Sequence, residues 1–130
     1  MIKIKKHYHA WLDISLGKVI TQPMQRILLN NFVEKIGGKI IFELGEDVEF
    51  KESHIQLQNM VNSKINVHGF VFLGLEQFLI NNKLNIKIIK EILKKKYELH
   101  FIKQQLSLYN KNDLKINFNN LLIYEDIRSA

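Results

Sequence analysis

Apolar positions along the chain fall into short runs that alternate with helix-spaced stripes. Residues 7–14, His-Tyr-His-Ala-Trp-Leu-Asp-Ile, are aromatic and aliphatic enough for a first buried strand, and residues 15–22, with Gly17, read as the loop after it. A helix is expected from Pro23, because proline suits a first helical turn; Met24, Ile27, Leu28, Val33 and Ile36 supply its apolar stripe, and Gly37-Gly38 stops it. Residues 39–44 are short, apolar and partly β-branched, the marks of a second strand. Ser53-His54-Ile55-Gln56 fits a capping box, so a second helix follows with Leu57, Met60 and Val61 inward and Ser53 as its cap. Residues 67–73 read as strand three, with Gly74 letting the chain turn. Ile86, Ile89, Ile92 and Leu93 form one face of a third helix, while Lys83, Lys87, Lys90 and Lys94 form another, read as its wet side. Residues 97–102 give strand four, and residues 114–127 are assigned to a last helix.

This alternation predicts one single-domain α/β unit over residues 1–130, a mostly parallel sheet with helices on both faces. A flavodoxin-like order puts strand one between strands two and three, and ligands then bind beyond the carboxyl ends of the strands where the winding reverses. The crevice expected there is built from residues 15–22, ending at Gln22, from Gln25 and Arg26 in the first helical turn, and from the loop after strand three.

Composition narrows the chemistry. The chain has 130 residues, 46% hydrophobic and 25% charged, with no apolar run near the roughly 20 residues of a membrane span. Its start carries no signal-peptide pattern, so the cytoplasm is the expected location and no membrane partner is expected. The absence of cysteine excludes disulfides, thiolate nucleophiles and cysteine-held zinc. The formal charge of +6 invites a nucleic-acid reading, but Arg26 and Arg128 are the only arginines; a solvated lysine surface explains the charge better than nucleic acid does. A homo-oligomer stays open.

There is no Gly-x-Gly-x-x-Gly, no phosphate-binding loop ending in Gly-Lys-Ser/Thr, no His-Glu-x-x-His and no nucleophile elbow, so no cofactor is expected. Arg26 near a helix N-terminus reads either as an anion-holding cation or as an exposed residue paired with Glu43 or Glu46. His7 and His9 read as surface or packing residues rather than metal ligands. Glu43, Glu46, Asp47, Glu49 and Glu52 read as a solvated loop ahead of a Mg²⁺ site. His100 lies two residues after Glu98 and so on the same strand face. A neighbouring carboxylate raises a histidine pKa towards acid–base use, and a hydrogen-bonded core histidine is the competing reading.

Gln25 before an apolar helix, Ser53 at a helix start, the strand Gly69-Phe70-Val71-Phe72 and the strand Glu98-Leu99-His100-Phe101 together resemble the sporadic carbohydrate cluster family, over about residues 8–125. Arg26, Gly74 and Gln104 differ from that family's pattern. The resemblance implies work on a nucleotide-activated sugar in capsule, O-antigen or lipopolysaccharide biosynthesis, as a flavin-independent pyranose/furanose mutase. Under it, His100 transfers protons, Glu98 orients it and Asp13 is a second carboxylate, while Gln22, Gln25, Arg26 and Ser53 contact substrate. The alternation is also distantly similar to serine-recombinase catalytic domains, a likeness of fold that carries no function. The alternative function is a non-catalytic binding or scaffold protein for a pathway enzyme or, less favoured, nucleic acid.

Overall fold

The computed structural model describes residues 5–13, 20–46, 55–63, 65–80 and 83–129. In chain order the elements are β1 (Lys6–Asp13), α1 (Gln22–Lys35), β2 (Gly38–Glu46), α2 (Ile55–Asn62), β3 (Gly69–Phe72), a 3₁₀ turn (Leu75–Phe78), β4 (Leu79–Ile80), β5 (Lys83–Leu84), α3 (Ile86–Lys94), β6 (Glu98–Phe101), β7 (Leu106–Leu108) and α4 (Lys111–Ser129). The main sheet runs β2-β1-β3-β6-β7, parallel except for β7, and β4 with β5 makes a separate antiparallel pair. The expected α/β class and the position of strand one between strands two and three are therefore present.

Alternation of side chains divides the core in two. Tyr8, Ala10, Leu12 and Val71 meet Leu29 and Val33 of α1 on one face. Trp11, Phe70, Phe72, Leu99 and Phe101 meet Leu57 and Val61 of α2, the α3 residues, and Leu114 and Leu121 of α4 on the other. The winding reverses after β2, and right-handed crossovers then put α1 on one side of the sheet and α2 and α3 on the other. Nine-residue α3 is too short to persist by itself. Burial of Ile88, Ile89, Ile92 and Leu93, at about 2 kcal/mol each, is what holds it.

Several local expectations shift. Helix α1 starts at Gln22, with the Thr21 side chain capping the Met24 N–H. Its buried row is Gln25, Leu29 and Val33, whereas Met24 and Ile27 are about half exposed at 50% and 53% and Leu28 is also exposed. The helix is rotated from the purely apolar solution because the Gln25 amide is anchored to the end of β1. Strand β2 runs longer than residues 39–44, β3 shorter than residues 67–73, and α4 begins before residue 114. Strands β4, β5 and β7 were not expected from the sequence. Gly37, at φ +79°, takes the left-handed turn that ends α1 and is open to glycine at little steric cost. Among the described residues no helix is long and apolar enough to cross a membrane.

Candidate functional site

Among the described residues, a hydrogen-bonded set of titratable side chains lies on the α1 face of the sheet, from Lys6 and Glu98 at the amino ends of β1 and β6 to His100, level with Ala10 in the middle of β1. Register sets it up: Tyr8 lies level with Gly69, and Gly69 with Glu98, so the even-numbered residues of β1 and β6 project from the same face two strands apart. Gly69 is required between them, since a Cβ there would run into the Glu98 backbone and Cβ. The β6–β7 turn closes through a Gln105 N–H bond to the Ile102 carbonyl, with Gln105 at φ 51°, and pairs Ser107 directly opposite His100.

Glu98 is the hub. Its Oε1 accepts from the Tyr8 hydroxyl at 2.7 Å and from His100 Nε2 at 2.9 Å, and its Oε2 accepts from the Lys6 ammonium at 3.2 Å. On the far side of the imidazole, His100 Nδ1 and Ser107 Oγ are 2.8 Å apart. The rings of Tyr8, Phe32 and Tyr109 enclose His100 at centroid distances of 5.6, 5.4 and 5.5 Å, and His100 has no exposed surface.

Protonation follows from these contacts. Burial pushes the Glu98 carboxyl up, but hydrogen bonds from His100, Tyr8 and Lys6 together with the Lys6 charge outweigh it and hold the group below its ordinary range. Burial likewise pushes the Tyr8 hydroxyl up, reinforced by the bond to Glu98, and keeps it a donor. For His100, burial lowers the pKa, and the Glu98 contact offsets this only in part. The rise expected from a neighbouring carboxylate is thus reversed, because complete burial penalises the imidazolium more than one shared carboxylate stabilises it. A neutral ring facing an ionised Glu98 carries its proton on Nε2. Nδ1 is then an acceptor, and the Ser107 hydroxyl donates to it.

The carboxyl ends of the strands are built differently. Gln25 is completely buried; its Oε1 accepts from the Asp13 N–H at 2.9 Å, and its Nε2 donates to the carbonyls of Asp13 at 3.1 Å and Ile20 at 2.9 Å. Gln77 accepts from the Leu73 N–H and donates to the Trp11 carbonyl, and Gln104 accepts from the Leu75 N–H and donates to Glu76. Each amide ties backbone or a neighbouring side chain in place. Gln22 is exposed at the start of α1. Arg26 donates to Glu43 at 2.6 Å on the surface, the paired alternative weighed for it above. Ser53, residues 15–19 and residues 47–52 lie outside the described residues.

Of the expected catalytic set, Glu98 and His100 come together and Asp13 does not join them. His100 is level with Val71 and Ala10, so buried Asp13 lies three residues, about 10 Å, further along and, with Trp11, on the opposite face. Sequence reasoning missed Ser107, Tyr8 and Lys6. The signal for Lys6 and Tyr8 was their even-number parity in strand one combined with the strand order; Ser107 needed the β6–β7 hairpin register, and strand β7 itself had not been recognised. Among the described residues no three histidine, aspartate or glutamate side chains assemble as a metal site.

A second feature lies on the other side of the sheet. Helices α3 and α4 border a groove of about 860 Å³ whose walls carry Lys87, Lys90, Lys94, Lys111 and Lys115 over Ile86, Leu114 and Phe118, with Glu91 its one acidic residue. Comparison with protein-family models, with curated proteins and with solved structures returns no match to this chain.

Proposed function

We propose that this chain is an enzyme acting on a nucleotide-activated sugar of bacterial capsule, O-antigen or lipopolysaccharide biosynthesis, and that it exchanges pyranose and furanose rings in the cytoplasm without flavin. The observation that carries the reading is the clasp on His100: an ionised carboxylate on one ring nitrogen and a hydroxyl on the other. Ring exchange needs a proton taken from one oxygen and returned to another, and the part-buried Ser107 hydroxyl is the group through which the enclosed imidazole, at Nδ1, passes it. The likeness of Glu98-Leu99-His100-Phe101 to the carbohydrate-cluster pattern supplies the substrate class. Lys6, about half exposed beside Glu98, is the cation this reading assigns to the diphosphate, in preference to Arg26 with its Glu43 partner. The test is incubation with a panel of nucleotide sugars while anomeric and ring-carbon NMR signals are followed. Conversion by the native chain and its loss in folded His100→Gln support the reading; no conversion of any sugar overturns it.

The five-lysine groove favours a second reading, a binding module for an anionic partner such as nucleic acid. Mobility shifts across a salt series decide it, because phosphate-driven binding weakens steeply as salt rises. No shift at low salt removes the nucleic-acid form of this reading.

A further inference from the structure

We infer that Ser107 is a nucleophile activated by His100 and Glu98, and that this relay transfers an acyl group from a carboxylic ester. The inference shares the His100–Glu98 pair with the proposed function but does not depend on a sugar substrate.

The geometry is that of a nucleophile, a base and a group orienting the base. Ser107 Oγ stands 2.8 Å from His100 Nδ1, and His100 Nε2 stands 2.9 Å from Glu98 Oε1, both within the reach that proton transfer needs. Roles are recognised by such distances rather than by chain order, so the unusual order Glu98, His100, Ser107 is no obstacle. Two further donors hold the orienting carboxylate still, Tyr8 at 2.7 Å and Lys6 at 3.2 Å. The base is enclosed, but the nucleophile is not: Ser107 is only part-buried on the edge strand β7, and the neighbouring Tyr109 is half exposed. An ester therefore reaches Oγ from the sheet edge while His100 stays shielded from water.

The step is closed in atoms and charge. Ser107 Oγ bonds to the ester carbonyl carbon as its proton passes to Nδ1; the ester C–O bond breaks and the alcohol leaves with that proton. Water then attacks the acyl-serine, loses a proton to Nδ1, and Ser107 departs with it. Glu98 accepts the Nε2–H bond throughout and stabilises the transient imidazolium.

A fluorophosphonate probe tests this without any natural substrate, since Oγ displaces fluoride from phosphorus and leaves an adduct whose site mass spectrometry reads. The expected result is an adduct on Ser107, absent from Ser107→Ala and formed about 100-fold more slowly in His100→Gln, the scale of a lost general base. The native chain has no cysteine, so Ser107→Cys introduces a single thiol. Its alkylation by iodoacetamide is expected to proceed at a pH at least about one unit below that of an ordinary thiol near 8.5, and to return to ordinary behaviour when His100→Gln is added. Circular dichroism establishes that each variant is folded. No adduct on the folded native chain, an adduct mapped to another residue, or an ordinary thiol profile overturns the inference. Labelling of Ser107 without conversion of any nucleotide sugar upholds the nucleophile and removes the mutase; conversion without labelling does the reverse.

Discussion

Two regions of the sheet use polar side chains in opposite ways, the α1 face around Glu98 and the carboxyl ends of the strands. On the α1 face of β1, β6 and β7, Lys6, Tyr8, Glu98, His100 and Ser107 bond to one another, and each bond bears on where a proton resides. At the carboxyl ends, Gln25 and Gln77 bond to backbone, and Gln104 bonds to backbone and to Glu76, tying together Asp13 and Ile20, Trp11 and Leu73, and Leu75 and Glu76. Side-chain amides do not titrate, so these three fix backbone rather than move protons, at the end where doubly wound sheets ordinarily hold ligands. The hydrogen-bonded titratable cluster around Glu98 lies apart from them, on the α1 face of β1 and β6.

The largest effect expected from breaking this contrast is at Gln25. Removing its side chain by Gln25→Ala strips partners from a buried N–H and from two carbonyls and opens a cavity between α1 and β1. Each unsatisfied buried group costs on the order of 1–3 kcal/mol, and a loss of about 3 kcal/mol in total is expected in urea unfolding. Chemistry at Ser107, in protein that remains folded, is expected to be unchanged. A stability loss below about 1 kcal/mol would mean that the amide does not hold the end of β1, and the structural character assigned to the carboxyl end would fall with it.

Much of the contrast was present in the sequence, but unevenly. The order of strands and helices followed from apolar periodicity, and the Glu98–His100 pair from alternation within one strand, since both depend on neighbours close in the chain. Asp13 was misplaced relative to them because its distance from His100 is a property of sheet register, which a run of six or eight apolar residues does not encode. Gln25 was read as a substrate contact, although a polar residue in a buried helical row also signals a bond to backbone. The α1 stripe erred for the same reason: a hydrophobic pattern counts Met24, Ile27 and Leu28 as core, whereas the bonds of one glutamine turn them to the surface.

An intermediate effect is expected from pH and acts at the buried histidines. His9 and His100 both have pKa values lowered by burial, partly offset at His100 by Glu98. Below the ordinary histidine value of about 6.5 the unfolded chain binds protons that the folded chain does not. Stability is therefore fully present above that value and falls as pH drops, by up to about 1.4 kcal/mol per pH unit for each group, until the folded pKa is reached. Glu98, held low, adds a further loss only in more acid solution, as pH falls through its folded value. Urea unfolding between pH 7.5 and 5.5 measures the slope, and His100→Gln is expected to remove roughly half of it. An unchanged slope in that variant would show that His100 is not held neutral, which removes the basis for its proton on Nε2.

The smallest effect is expected at Arg26, and its smallness is informative. The Arg26–Glu43 pair is short, but its side chains are 43% and 32% exposed, and pairs screened by solvent to that extent contribute little. Arg26→Ala is expected to change stability by less than about 0.5 kcal/mol. The functional comparison is sharper: with the diphosphate assigned to Lys6, nucleotide-sugar affinity measured by calorimetry should change by less than about twofold in Arg26→Ala and weaken about tenfold or more in Lys6→Ala, a difference of roughly 1.4 kcal/mol between the two sites. Lys6 also donates to Glu98, so its removal acts on the relay as well as on the anion, and raised salt should mimic only the second effect. The reverse ranking, with Arg26 the sensitive position, would return the anion to the start of α1, and binding and proton transfer would then belong to different parts of the molecule.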